Sequence, residues 1–167
     1  MKRLFCMAIA IMSMLAVSAQ TVSKRERGLQ GEVSFVFAGA AHWVFGGRAT
    51  VGCQLDKEWF IGVGSGLTTT LNPDGSDANY VPVYVDGRWY MKDRKTSPFI
   101  NMSVGYAIPT TDGTTGGAYL APMIGYNFEL KGGVSLDLGL GYLYQGIEHY
   151  GEKFSQHSPE IRFGVRF

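Results

Sequence analysis

Residues 134–144 read Val-Ser-Leu-Asp-Leu-Gly-Leu-Gly-Tyr-Leu-Tyr. Val134, Leu136, Leu138, Leu140, Tyr142 and Tyr144 alternate with Ser135, Asp137, Gly139 and Gly141. Strict alternation over this length is the mark of a strand with one apolar face. The same period organises Ile100–Ile108, Leu120–Leu130 and the terminal Ile161-Phe163-Val165-Phe167. It holds less cleanly in Val33-Phe35-Phe37, Ala49–Leu55, Trp59-Ile61-Val63 with Leu67, and Val81-Val83-Val85 with Trp89. Eight strands are expected, and no stripe of helical period competes with them.

The composition agrees. The 167 residues include 23 Gly, and only 17% are charged. An interior Gly costs a helix about 0.5–1 kcal/mol against Ala, so this content argues against a helical protein. A formal charge of +1 leaves no basic footprint for nucleic acid. Residues 1–19 carry a charged start, an apolar run from Leu4 to Val17 and small residues Val17 and Ala19 at the positions of a cleavage site. They read as a signal peptide, followed by a polar leader over 20–28 and a barrel over 29–167. Cleavage removes Lys2 and Arg3, taking 15 Lys+Arg to 13 against 14 Asp+Glu. It also leaves Cys53 as the mature chain's single thiol, so no intrachain disulfide is expected.

Between the strands, the gaps at 56–58, 91–97 and 131–133 are short. Those at 40–46, 69–79, 109–117 and 146–157 are longer. Such sorting is expected of an up-and-down barrel inserted from one side of a membrane, with short periplasmic turns and long outer loops. Strands of about 9–11 residues suffice to span. The polarity of the two faces decides between a soluble and a membrane barrel. The second face holds Gly62, Gly64, Gly66, Gly105, Gly125, Gly139 and Gly141. Bare glycine on a solvated face weakens a strand for no gain, whereas in a narrow bore it makes room for longer side chains. The apolar face therefore points outward. Cys53 falls on it. Pro82 and Pro122 each remove a ladder donor; both lie close to the outer end of their strands, where a bulge is tolerable.

The inward face then carries a charge network of Glu32, Arg48, Asp86, Arg88, Glu129, Asp137, Glu160, Arg162 and Arg166. Five acids against four bases favour pairing, because a lone buried charge costs about 3–5 kcal/mol. An ion pathway is the rival of this polar plug. Asp137 and Arg166 are expected to pair, with Glu32 close enough to share Arg166 or Arg162. Trp59, Trp89, Phe99 and Phe128 fall beside short turns, and Tyr80, Tyr106, Tyr119 and Tyr144 near long loops. They are expected to form two aromatic girdles.

No catalytic, metal or cofactor site is expected. His149 and His157 share a loop with Glu148 and Glu152, yet their spacing fits no ligand motif. His157, Ser158 and Glu160 supply the residue types of a hydrolytic triad, but adjacent strand residues point to opposite faces.

The ending Ile161-Arg162-Phe163-Gly164-Val165-Arg166-Phe167 resembles the insertion signal of outer-membrane barrels, implying that role for Phe163, Val165 and Phe167. The chain over 29–167 resembles the small eight-stranded OmpA/OmpX-type barrels, in particular the short outer-membrane β-barrel families of Bacteroidetes. The resemblance implies a Gram-negative outer-membrane location and contact with outer-membrane lipids and lipopolysaccharide. It also implies biogenesis through periplasmic chaperones and the barrel-assembly machinery. The expected role is structural, envelope-stabilising or adhesion-like, through outer loops meeting a surface partner that the sequence does not name. The alternatives are a lipid A-modifying enzyme, a narrow channel and a soluble ligand-binding barrel.

Overall fold

The computed structural model describes residues 27–39, 43–71, 77–92, 96–110, 114–130, 133–149 and 152–167. The expected signal peptide, most of the leader, and His42 lie outside them, as do the side chains of Glu148, His149 and Glu152. Eight long strands follow one another: β1 (Gly28–Gly39), β2 (Trp43–Gln54), β3 (Trp59–Leu71), β4 (Ala78–Tyr90), β5 (Ser97–Pro109), β7 (Gly117–Glu129), β8 (Ser135–His149) and β9 (Glu152–Arg166). A two-residue strand, β6 (Thr114–Thr115), lies in the β5–β7 connection and pairs with the far end of β8. Each long strand pairs antiparallel with the next, and β9 closes on β1. The result is an up-and-down barrel. The start of β1 and the end of β9 lie at one mouth, here the terminal end. The hairpins β1–β2, β3–β4, β5–β7 and β8–β9 turn at the opposite, distal end.

The polarity is that of a membrane-spanning barrel. Phe35, Val51, Ile61, Val63, Val85, Met102, Val104, Ile124, Leu140 and Phe163 are exposed on the outside. Glu32, Arg48, Asp86, Arg88, Asn101, Asp137, Glu160 and Arg162 are buried within. No described helix is long and apolar enough to cross a membrane; the crossing elements are strands. Glycine sets the bore. A Cβ on Gly64 would meet the Tyr84 ring at 2.5 Å, and one on Gly164 would meet Glu32 Oε1 at 3.1 Å. Those positions are empty so that the large residues can lie across the lumen.

The strands are longer than the sequence pattern suggested, at 12–15 residues. The connections therefore do not sort into short and long. The distal β8–β9 link is only 150–151, and the distal β1–β2 link is 40–42, against 91–96 at the terminal end. Backbone pairing continues past the last outward apolar residue, because a ladder needs no apolar side chain to propagate in water. At the two prolines the register is kept without a bulge. The β3–β4 ladder stops at Ser65↔Val83 and resumes at Thr68↔Tyr80 in the same register, leaving a gap at Pro82. The β7–β8 ladder skips from Met123↔Gly141 to Leu120↔Tyr144 around Pro122 in the same way.

The terminal turn after β2 is set by Asp56, whose Oδ1 accepts from the amides of Glu58 at 2.8 Å and Trp59 at 2.7 Å. These bonds, that of Glu58 first, hold its carboxyl below the usual Asp range. A depressed carboxyl contributes stability that is present above the ordinary Asp pKa and lost as pH falls through the lowered one. An NMR titration should place the Asp56 midpoint below about 3.9, and Asp56→Ala, which removes the acceptor, should free the Glu58 amide for exchange. The outward band makes a second prediction. Val63 is 58% exposed and pairs with Val51 and Val85. Val63→Arg should cost about 2–4 kcal/mol in denaturant unfolding from phospholipid; an unchanged midpoint would argue that this face meets water.

Candidate functional site

The lumen gathers the polar chemistry. Its terminal half is built on Arg88, which reaches from β4 across the bore. Nη2 lies 2.6 Å from Glu32 Oε2 on β1, and Nη1 lies 2.5 Å from Asp137 Oδ2 on β8. Arg166 on β9 also pairs with Asp137, and its Nη2 lies 3.5 Å from Glu32 Oε2. Asn127 Nδ2 donates to the other Asp137 oxygen at 2.6 Å. Two acids thus meet two bases. Aromatic faces flank the cations: Arg88 Cζ stands 4.6 Å from the Phe99 ring centroid, and Arg166 Cζ 5.3 Å from that of Tyr90.

A second cluster fills the next layer. Arg48 on β2 forks onto Glu160 on β9, with both N–O distances 3.1 Å. Arg162 Nη2 meets the same carboxylate at 2.8 Å. Its Nη1 donates to Asn101 Oδ1 at 3.1 Å, while Asn101 Nδ2 donates to both Asp86 oxygens at 2.8 Å. Ser103 Oγ donates to Asp86 Oδ2 at 2.7 Å. Again two bases meet two acids. Tyr84 and Tyr119 stack above with centroids 5.6 Å apart, and Arg48 Cζ lies 5.2 Å from the Tyr119 ring centroid. Charges this deep are held by mutual pairing and hydrogen bonds, not by water.

Eight of the nine charges expected in the lumen are buried there. Glu129 shares their parity but lies partly exposed at the terminal rim. The expected pair of Asp137 and Arg166 forms, and Glu32 shares Arg166. The central place of Arg88 was not anticipated, because register alone does not show how far a side chain reaches across a bore.

The girdles need correction at three positions. Tyr80, Phe99 and Tyr119 are buried inside, not on the outer surface. Each has the parity of a lumen neighbour: Tyr80 that of Asp86, Phe99 that of Asn101, Tyr119 that of Asn127. Counting by twos would have found them, as it would Phe60 and Tyr90. Trp59, Trp89, Phe128 and Tyr106 are exposed outside, and Tyr144, of outward parity, is partly so. Trp59 and Trp89 stand 6.3 Å apart at the terminal end. Phe37 and Trp43, 5.2 Å apart, extend the distal set. Of the insertion-signal residues, Phe163 and Val165 point outward. Phe167 exchanges both backbone hydrogen bonds with Gly31, so β1 and the chain end lock together.

The triad types do not assemble. Ser158 and Glu160 are buried inside, while His157 is exposed outside. His157 Nε2 lies instead 3.0 Å from Ser155 Oγ, with its ring 5.1 Å from that of Tyr144. Among the described residues no group of side chains has the make-up of a metal site.

Arg88 reaches from β4 to two acids on β1 and β8, the strands flanking β9, so Arg88→Met should destabilise the refolded barrel by about 3–5 kcal/mol. Asp137→Asn should cost less, since Arg88 and Arg166 keep Glu32. In a denaturant cycle the double variant should lose clearly less than the sum, because the second change removes an orphaned charge. Strict additivity would show that the two side chains do not interact.

No family model matches the sequence, and no curated protein sequence does. Solved structures do. The chain is similar to Neisserial surface protein A (NspA) at 18% identity and a TM-score of 0.62, over 83% of this chain and 94% of that one. It is similar to the N-terminal β-barrel domain of Pseudomonas aeruginosa OprF at 12% identity and a TM-score of 0.50, over 85% of this chain and all of that one. A de novo designed transmembrane β-barrel matches at 12% identity and the same TM-score, over 86% and 98%. At these identities the likeness is one of fold: a small transmembrane β-barrel spanning nearly the whole described chain.

Proposed function

We propose that the chain is an outer-membrane barrel of non-catalytic role, anchored by its outer face and presenting its distal hairpins at the cell surface. The observation that carries this is the pairing of an exposed apolar exterior with a bore crossed by two charge-balanced networks. The exterior calls for lipid. The bore, tied across by Arg88 to Glu32, Arg48 to Glu160 and Arg162 to Asn101, favours a rigid plug over a conducting path. With eight strands both termini share one mouth, which is the periplasmic one when insertion proceeds from that side. The distal hairpins then stand outside, where an envelope-stabilising or adhesion-like role belongs. On this reading Phe163, Val165 and Phe167 serve recognition by the assembly machinery, residues 1–19 direct export, and lipopolysaccharide packs against the distal half of the band.

The test is topological. The chain should fractionate with outer membranes and migrate differently on gels before and after boiling. An epitope inserted between Tyr150 and Gly151 should be reached by antibody on intact cells. One inserted within 93–95 should be reached only after the outer membrane is opened. Recovery in the soluble fraction, or the reverse accessibility, would overturn the proposal.

A further inference from the structure

On β8 and β9 the apolar band ends at facing positions. Outward residues of β8 run Leu136, Leu138 and Leu140, then Tyr142, Tyr144 and Gly146; those of β9, read from the terminal end, run Val165, Phe163 and Ile161, then Pro159, His157 and Ser155. The ladder pairs Leu140 with Ile161, Tyr142 with Pro159, Tyr144 with His157 and Gly146 with Ser155. Both strands therefore pass from apolar to polar at one height, where the lipid headgroups begin. Among the described side chains that point outward from the strands, His157 alone can carry a positive charge. No described carboxylate points outward beside it.

The local geometry makes a notch. The rings of His157 and Tyr144 meet edge to face with centroids 5.1 Å apart, and the Tyr142 ring is 6.0 Å away. His157 Nε2 lies 3.0 Å from Ser155 Oγ, so the imidazole turns this polar atom away from the apolar band and toward the next outward row. Opposite Ser155 the wall is bare. Gly146 has no side chain, and a Cβ there would meet nothing closer than 3.4 Å. An imidazole nitrogen and a hydroxyl thus converge beside an empty wall position. Each can donate to an anionic oxygen, and such bonds are about twice as strong as neutral ones.

We infer that the notch of Tyr144, Gly146, Ser155 and His157 binds the phosphate of an outer-leaflet glycolipid whose acyl chains lie on Leu140, Ile161 and Phe163. This deepens the surface reading proposed above and rests on its sidedness. The three apolar residues are exposed directly below the notch, on the same two strands, so one molecule covers both surfaces. A phosphate ion without chains would meet the two donors alone. Interfacial tyrosines hold lipids of any headgroup; the notch adds selection for a phosphorylated one.

The experiment uses the full chain refolded in zwitterionic detergent micelles, where sidedness plays no part. Monophosphoryl lipid A is the probe and its phosphate-free counterpart the control, with binding followed by NMR at the Tyr144 and Ser155 amides. The probe should bind about tenfold more tightly than the counterpart, the scale of one charge-assisted hydrogen bond. His157→Gln should bring the two lipids level, whereas His157→Arg should keep the preference. Gly146→Val fills the notch with a residue suited to a strand, leaves both donors in place, and should also abolish the preference. Equal binding of the two lipids by the unchanged chain would overturn the inference, as would a preference that survives His157→Gln or Gly146→Val. Loss in His157→Arg as well would assign the effect to packing and overturn it too. Inorganic phosphate shifting the same signals at the same concentration would assign the notch to a free ion instead. The epitope at 150–151 reports separately on sidedness, so an inward-facing distal end and a notch blind to phosphate are distinct failures.

Discussion

Everything in this barrel turns on one constraint: charges placed in a bore too narrow for bulk water must cancel one another. Arg88 meets it by spanning the lumen, touching Glu32 on β1 and Asp137 on β8 from its own place on β4. A guanidinium suits this because its planar fork serves two carboxylates at once. The crossing bonds join strands far apart in the sheet order, so they resist ovalisation of the barrel in a way that neighbouring ladders do not. The glycines then follow as a consequence. Gly64 beside Tyr84 and Gly164 beside Glu32 mark where a wall residue had to vanish for a crossing side chain to lie flat.

The aromatic residues divide along the same logic. Outside, Trp59, Trp89 and Trp43 sit near strand ends, where an amphipathic ring meets both lipid and water. Inside, Phe60, Tyr90, Phe99 and Tyr119 wall the guanidinium groups of Arg88, Arg166 and Arg48, offering ring faces to cations that water does not reach. The same residue type thus does two jobs, and face parity alone distinguishes them.

That explains what the sequence discloses and what it hides. Period two, as in 134–144, follows from backbone geometry and is legible residue by residue; so are the two faces and their polarity. Which lumen residues touch is another matter. Asp137 and Arg166 lie on neighbouring strands, and their pairing follows from parity and turn position. Arg88 and Asp137 lie on opposite walls, and their meeting depends on strand tilt, bore width and side-chain reach, none of which alternation encodes. Tyr80, Phe99 and Tyr119 look like girdle residues by position near a strand end, yet their parity places them inside. Strand ends were the least legible feature, because the β8–β9 ladder runs to His149↔Glu152 after the apolar alternation has faded.

Closure and openness also divide at the membrane boundary. Within lipid an unpaired backbone group costs several kcal/mol, so every strand there needs both neighbours, and closure of β9 on β1 supplies the last one. In water the penalty disappears, since solvent satisfies the same groups. A barrel can therefore carry an open edge only where it has left the bilayer, and only if its strands are unequal in height. Both conditions meet at Pro159. Below it β9 is bonded on two sides and faces outward with Ile161, Phe163 and Val165; above it, among the described residues, β9 pairs with β8 alone and faces outward with His157 and Ser155. A residue without an N–H at that point ends the β1 ladder without weakening β9's bonds to β8, because the missing donor belongs to the β1 side. The sequence thus marks, with one proline, the height at which the β1 ladder on β9 ends while the β8 ladder goes on.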